Sequence, residues 1–225
     1  MKELEEKIGY KFKNEKLLLL ALTHSSYANE IKDKSLSNER LEFLGDSVLG
    51  IITGEYLFNQ YKQFPEGELT KMRAALVCEQ SLLLYSKKLG IADFVRLGKG
   101  EEQTGGRERP ALLADAFEAL LAALYLDGEL KAVKKFFEPY LEEFAPLAVK
   151  GMTFKDYKTI LQEVVQKKPG ELVEYVIISE QGPDHNKVFV AQVHLNNKIL
   201  GTGEGKSKKD AEQEAAKVAL ELLGL

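Results

Sequence analysis

Up to about residue 149 the apolar positions recur at the helical period. Leu17, Leu18, Ala21 and Leu22 fit one helix face, and the pattern predicts further helices over 39–61, 69–89, 111–126 and from Glu129 toward Phe144. Short breaks separate them: Phe64-Pro65-Glu66-Gly67, the glycine-rich stretch 98–106, and Asp127-Gly128. Strand-like alternation is not sustained anywhere before Thr153, so this part reads as an all-α domain. Beyond 150–152 the pattern changes. Residues 156–166 read as a helix. Segments 174–179, 187–195 and 198–202 read as strands, with Gly182-Pro183-Asp184 and Asn196-Asn197 as the turns between them. Residues 207–223 form an alanine-rich amphipathic helix, with Ser207 as N-cap and Asp210 three residues on, close to a capping box. The predicted fold class is an all-α N-terminal domain followed by a small α+β domain of order α-β-β-β-α, its helices on one face of an antiparallel sheet. The expected boundaries are 1–149, a linker over 150–154, and 155–225.

Composition narrows the class. The 225 residues are 44% hydrophobic and 29% charged, with 18 Gly and 6 Pro, which is globular and excludes disordered or collagen-like chains. One cysteine, Cys78, excludes an internal disulfide and a cysteine zinc site, and it fits a reducing compartment. We expect Cys78 to be a small buried apolar residue. The apolar runs fall short of the roughly 20 residues a membrane helix requires, so a soluble cytoplasmic protein is expected. The net charge is −4, of which −3 falls in residues 1–153 and −1 in 154–225. Neither part is basic overall, so any case for nucleic acid must rest on local clusters.

Two apolar segments carry unusual charge. Residues 41–52, LEFLGDSVLGII, hold only Glu42 and Asp46, and residues 111–126, ALLADAFEALLAALYL, hold only Asp115 and Glu118. At about 100° per residue, Glu42 and Asp46 sit roughly 40° apart on one helix face, and Asp115 and Glu118 about 60° apart. Helices apolar nearly all round are buried, and ionised carboxylates there are costly unless compensated. Neither segment has a Lys or Arg to do so. Two such helices side by side can bring four carboxylates to one point, where a hard divalent cation relieves their repulsion; oxygen-only donors favour Mg²⁺ or Mn²⁺ over zinc. A single such pair is more often a solvated helix face. A di-iron bundle is the competing metal site, but its Glu-x-x-His motif is missing around His24, the one histidine of this part.

The segment NERLEFLGDSVL (38–49) resembles the signature of bacterial ribonuclease III, and the resemblance extends through ALTHSSY (21–27), EGELTKMRAALV (66–77) and LADAFEALLAALYLDG (113–128). The C-terminal part resembles the double-stranded RNA-binding domain that follows in that family. The resemblance implies a homodimeric, Mg²⁺-dependent endoribonuclease acting on double-stranded RNA. It would leave 5′-phosphate and 3′-hydroxyl ends and act in ribosomal RNA precursor and mRNA processing, with no organic cofactor and no membrane. Residues 1–149 would then be the catalytic and dimerisation domain. By position, Glu42, Asp46, Asp115 and Glu118 match the family's metal-binding acids, with Asp46 and Glu118 at the positions called catalytic. Glu39 and Glu66 match acids placed near the catalytic valley at the dimer interface.

Duplex RNA hides its bases, so a protein must grip phosphates and 2′-hydroxyls. Lys206, Lys208 and Lys209 lie at the start of the last helix, where their charge adds to the helix dipole. Gly203-Glu204-Gly205 before them is expected to allow close backbone approach. Thr159, Gln162, Glu163 and Gln166 share one helix face, and Pro183 and His185 lie on the loop between the first two strands. The family uses the same places for RNA contact. Taken alone, each has a plainer reading as exposed surface. Ala211, Ala215, Ala216 and Ala219 are expected to pack against the sheet, and His194 to pack or face solvent. Tyr27, Phe43 and Leu17 to Leu20 are expected in the core, and His24 in a hydrogen-bonding role. Residues 99–109 are either a mobile loop near the substrate or ordinary surface. A binding-only protein that has lost catalysis is the alternative function; the four intact acids argue against it.

Overall fold

The computed structural model describes residues 1–149, 157–166, 171–183, 187–196 and 198–223. They fall in two compact units, Met1–Phe154 and Lys155–Leu225. The expected linker 150–154 lies outside the described residues.

The first unit is helical: α1 (Lys2–Ile8), α2 (Glu15–Ala21), α3 (Ser25–Glu30), α4 (Glu39–Gln60), α5 (Glu66–Val77), α6 (Glu79–Leu89), α7 (Lys99–Gln103) and α8 (Pro110–Val149). The first half of α8 is the centre of the unit; Leu112, Leu113, Ala116, Phe117 and the run Ala119 to Leu124 are all buried. Helices α2, α4, α5 and α6 pack around it. The predicted break at Asp127-Gly128 is present inside α8, where Gly128 and Glu129 (φ 58°) leave helical geometry. Asp127 makes that break a joint. Its carboxylate accepts hydrogen bonds from the Tyr10 hydroxyl at 2.8 Å and from the backbone N–H groups of Lys13 (2.8 Å) and Asn14 (2.9 Å). Burial acts to raise its pKa, but these hydrogen bonds and the Lys13 charge outweigh it and hold the carboxyl below its usual range.

Several expectations are corrected here. The helix predicted over 69–89 is two helices, α5 and α6, parted at Cys78, whose ψ is 159°. The reason is local: Ser81 Oγ donates to the Ala75 carbonyl at 2.6 Å and Tyr85 Oη to the Leu76 carbonyl at 3.1 Å, so side chains satisfy the end of α5. Cys78 itself is half-buried rather than buried. Phe43 is not core but 79% exposed, and of the run 17–20 only Leu18 is buried. Tyr27 is half-buried, its ring under the Arg96 guanidinium at 4.1 Å. Residues 99–109 contain α7 and a short 3₁₀ turn at Gly106–Glu108, where Arg107 donates to the Ala92 and Val95 carbonyls and forms a two-pronged pair with Glu102.

The second unit consists of α9 (Tyr157–Gln166), β1 (Val173–Gln181), β2 (Val188–Leu195), β3 (Lys198–Gly205) and α10 (Lys208–Leu222). The sheet is antiparallel in order β1-β2-β3. Leu161 and Val165 of α9, Ala191 and Val193 of β2, and Ala211, Ala215, Ala216, Ala219 and Leu220 of α10 form its core. The glycines of β3 correct another expectation. Gly201, Gly203 and Gly205 alternate along the strand, and a Cβ on any of them would lie 2.2–2.4 Å from α10 backbone. They seat α10 on the sheet rather than approach a phosphate; a smooth glycine face is the closest seat an alanine helix can find.

Candidate metal centre and nucleic-acid interface

The site begins with where α4 starts. The backbone N–H of Asn38 donates to the Thr23 carbonyl at 2.9 Å, and its buried side-chain amide donates to the Ala21 carbonyl at 3.2 Å. This fixes the first turn of α4 against the end of α2. Nearly two turns into α4 comes Gly45, where a Cβ would stand 1.9 Å from the Glu118 carbonyl oxygen. The backbones of α4 and α8 therefore touch at this point, which any side chain at 45 would prevent. Glu42 and Asp46 flank Gly45 on α4, while Asp115 and Glu118 face them from α8.

Glu42, Asp115 and Glu118 each offer a carboxylate oxygen, and these oxygens lie within 4.8 Å of one another. All three residues are half-buried. Asp46 is exposed and stands outside this trio, yet its charge bears on Glu118. The acids are thus less buried than apolar helices suggested, because they line an open edge where α4 meets α8. Among the described residues no Lys or Arg forms an ion pair with any of them. The consequence is electrostatic. Glu118 is pushed up to about 8 by burial and then by the charges of Asp46, Asp115 and Glu42. Burial, with Asp115 and Glu39 beside it, raises Glu42. Burial raises Asp115 too; His24 opposes the shift and Glu79 adds to it. Converging carboxylates that resist ionisation together are what a hard divalent cation stabilises, so the donor set fits Mg²⁺ or Mn²⁺.

Glu39 and Glu66 are both exposed. Glu39 is the first residue of α4 and its field reaches Glu42, whereas Glu66, at the start of α5, accepts a hydrogen bond from Thr70 at 2.8 Å. His24 has the expected hydrogen-bonding role: its Nδ1 accepts the Ser26 backbone N–H and caps α3. The residue that sequence reasoning passed over is Gly45. Its signal was a lone glycine inside an apolar helix pattern, flanked by two acids.

In the second unit Lys206, Lys208 and Lys209 are exposed where α10 begins, and Ser207 Oγ accepts the Asp210 N–H at 3.1 Å. Lys208 Nζ stands 5.9 Å above the Phe189 ring. Gln162 on α9 and Pro183 after β1 are exposed. His185 lies outside the described residues, as do the side chains of Thr159, Glu163 and Gln166. His194 is half-buried on β2, and its Nε2 has no hydrogen-bond partner among the described residues.

Comparison with known proteins agrees with this division. Residues 14–144 match the family model described as Ribonuclease-III-like, and residues 157–223 match the double-stranded RNA binding motif. A protein named Ribonuclease 3 from Caldanaerobacter subterraneus subsp. tengcongensis is 53% identical over 222 residues, covering 99% of this chain and 97% of the relative. Another of that name from Bacillus cereus is 53% identical over 226 residues, covering 99% and 91%. Among solved structures, the nuclease domain of ribonuclease III from Campylobacter jejuni is 42% identical with a TM-score of 0.59, covering 63% of this chain and 95% of that one. That structure concerns flexibility in the region involved in dimer formation.

Proposed function

This chain belongs to the ribonuclease III family, the double-strand-specific endoribonucleases, and we propose that it cleaves duplex RNA as a Mg²⁺-dependent homodimer, leaving 5′-phosphate and 3′-hydroxyl ends. Its work is ribosomal RNA precursor and mRNA processing, and its place is the cytoplasm. No helix among the described residues is long and apolar enough to cross a membrane. The observation that carries the reading is the convergence of Glu42, Asp115 and Glu118 within 4.8 Å at the Gly45 contact.

Glu42, Asp46, Asp115 and Glu118 would hold the ion. An ion held there would supply activation of a water and neutralisation of charge developing on the phosphate and the leaving 3′ oxygen. Asp46 and Glu118 are the catalytic pair, and their carboxylates orient the reacting groups in line. Glu39 and Glu66 extend the acidic edge toward the substrate. Attack at phosphorus breaks the bond to the 3′ oxygen, which leaves the phosphate on the 5′ end. Lys206, Lys208 and Lys209 take backbone phosphates. Thr159, Gln162, Glu163, Gln166, Pro183 and His185 are the contacts to the minor groove and its 2′-hydroxyls.

The dimer rests on the outer face of α4. Phe43, Ile51 and Phe58 are 79%, 55% and 72% exposed and share that face, with Gly50 and Gly54 open between them. Large exposed apolar side chains in line mark an interface, and a second copy of the same helix would cover them. Phe43→Asp should then yield a monomer in sedimentation velocity; a variant that stays dimeric would displace the interface from this face.

The test of the activity is cleavage of a long duplex RNA with Mg²⁺ or with chelator. Wild type should cut only with the ion. Glu118→Ala should lose at least about 10³-fold in rate yet bind the duplex as wild type does. Cleavage at the wild-type rate by that variant would overturn the assignment of the carboxylate site.

A further inference from the structure

A polar pocket lies beside the acids, and of its lining the reaction as described uses only Glu39. Ser25, Ala28, Asn29, Lys34, Ser37 and Glu39 line a cavity of about 170 Å³ between α3 and the start of α4. Its floor is rigid: Ala28 and Ser37 are buried, and the next residue, Asn38, is tied to Thr23 and Ala21. Its rim is a tight turn in which Lys32 adopts φ 59° and the Asp33 carboxylate accepts the N–H and hydroxyl of Ser35. Ser37 Oγ accepts the Glu39 N–H at 3.4 Å, but three other polar heads of the lining are idle. Among the described residues, the Ser25 hydroxyl, the Asn29 amide and the Lys34 ammonium have no hydrogen-bond or ion-pair partner. Glu39 forms one wall and stands one helical turn before Glu42.

We propose that this pocket is a sugar–phosphate subsite of the nuclease unit, in which Lys34 holds a backbone phosphate and Ser25 and Asn29 hold a ribose 2′-hydroxyl next to the cleaved bond. The chemistry is matched. An ammonium on a short turn serves a phosphate as a point charge, while a hydroxyl and a carboxamide can both donate to and accept from a 2′-hydroxyl. That hydroxyl is what separates RNA from DNA at a given site. The size also suits one sugar: the space is too small for a base pair and too polar for an apolar ligand. The unit that cuts would therefore test for RNA itself, independently of the lysines on α10. This inference rests on the nuclease reading above.

A thermodynamic cycle tests it with the full-length protein. Duplex substrates carry a single 2′-deoxynucleotide, scanned through the positions flanking the cut. At one position the substitution should lower wild-type kcat/KM roughly three- to tenfold, the worth of one hydrogen bond. Asn29→Ala and the isosteric Asn29→Asp, which lacks the donor, should lose a similar factor on all-RNA duplex. On the deoxy substrate the two losses should not multiply. Lys34→Ala should raise KM, with the slope of affinity against salt shallower by about one. Losses that multiply at every scanned position, or an unchanged salt slope for Lys34→Ala, would overturn the subsite and leave the nuclease reading standing. An all-RNA duplex left intact by wild type with Mg²⁺ would instead sink the nuclease reading itself.

Discussion

The two units use the same packing device for opposite ends. In the first, Gly45 lets α4 touch the backbone of α8 beside Glu118. In the second, Gly201, Gly203 and Gly205 let α10 settle on β3. Both contacts exist because a Cβ is missing. The first contact gathers like charges: three carboxylates within 4.8 Å, with Glu118 pushed up to about 8. The second gathers no charge; it fixes the axis of a helix whose first turn presents Lys208 and Lys209, beside Lys206, to solvent. Close backbone packing thus builds a cluster of carboxylates where acids flank the glycine, and a seat for a helix where alanines do. The lesson is that a glycine contact sets distance, and its neighbours decide what that distance does.

The comparison can be broken most sharply at the glycines. Gly45→Ala puts a methyl 1.9 Å from a backbone oxygen, so the helices must part. We expect a cost of about 3 kcal/mol or more in the first unit, at the top of the overpacking range, with divalent-ion binding lost. Gly203→Ala should destabilise the second unit comparably and abolish duplex affinity while leaving ion binding by the first unit intact. Differential scanning calorimetry with and without Mn²⁺ reads both. A Gly45→Ala protein that still binds Mn²⁺ would separate the carboxylate site from the helix contact.

A smaller effect sharpens the electrostatic side. Lys208→Ala combined with Lys209→Ala should weaken duplex binding and make its salt slope shallower by about two. The same pair should leave metal affinity unchanged, because these lysines belong to the platform. Titrations at several salt concentrations measure it, and a slope like that of wild type would remove them from the phosphate contacts.

The smallest effect concerns a carboxylate with the opposite behaviour from Glu118. Hydrogen bonds hold Asp127 ionised, so its folded pKa lies below its unfolded one. The stability it adds is present above the ordinary carboxylate range near pH 4 and disappears as pH falls through the lower folded value. Asp127→Asn should therefore cost about 1 kcal/mol at neutral pH, less than a fully buried charged hydrogen bond because the site is partly wet. The difference from wild type should shrink below about pH 4. Urea unfolding at pH 7 and pH 3.5 checks it, and a gap that widens in acid would mean the carboxylate is not held ionised.

Much of this molecule is legible along the chain because its information is periodic. The bounds of α4, the break at 127–128, the three strands and the N-cap at Ser207 follow from spacing and turn chemistry within a few residues. So does the placement of Asp115 with Glu118 on one helix face; that Glu42 joins them while Asp46 stays exposed outside the trio does not. The chain also contains the signal for helix termination at Cys78, but it is written in Ser81 and Tyr85, side chains that reach back to carbonyls of the preceding helix and leave no mark on hydrophobic periodicity. Tertiary structure alone decided which side of an apolar helix meets a partner. Phe43, Ile51 and Phe58 look outward although their helix is greasy all round; Gly45 looks inward; the glycines of β3 face an alanine helix and not a phosphate. The physical reason is range. Backbone geometry repeats every 3.6 or 2 residues and is settled by near neighbours. What lies across a contact is settled by packing between segments far apart in the chain, such as residues 45 and 118, whose meeting no local pattern encodes.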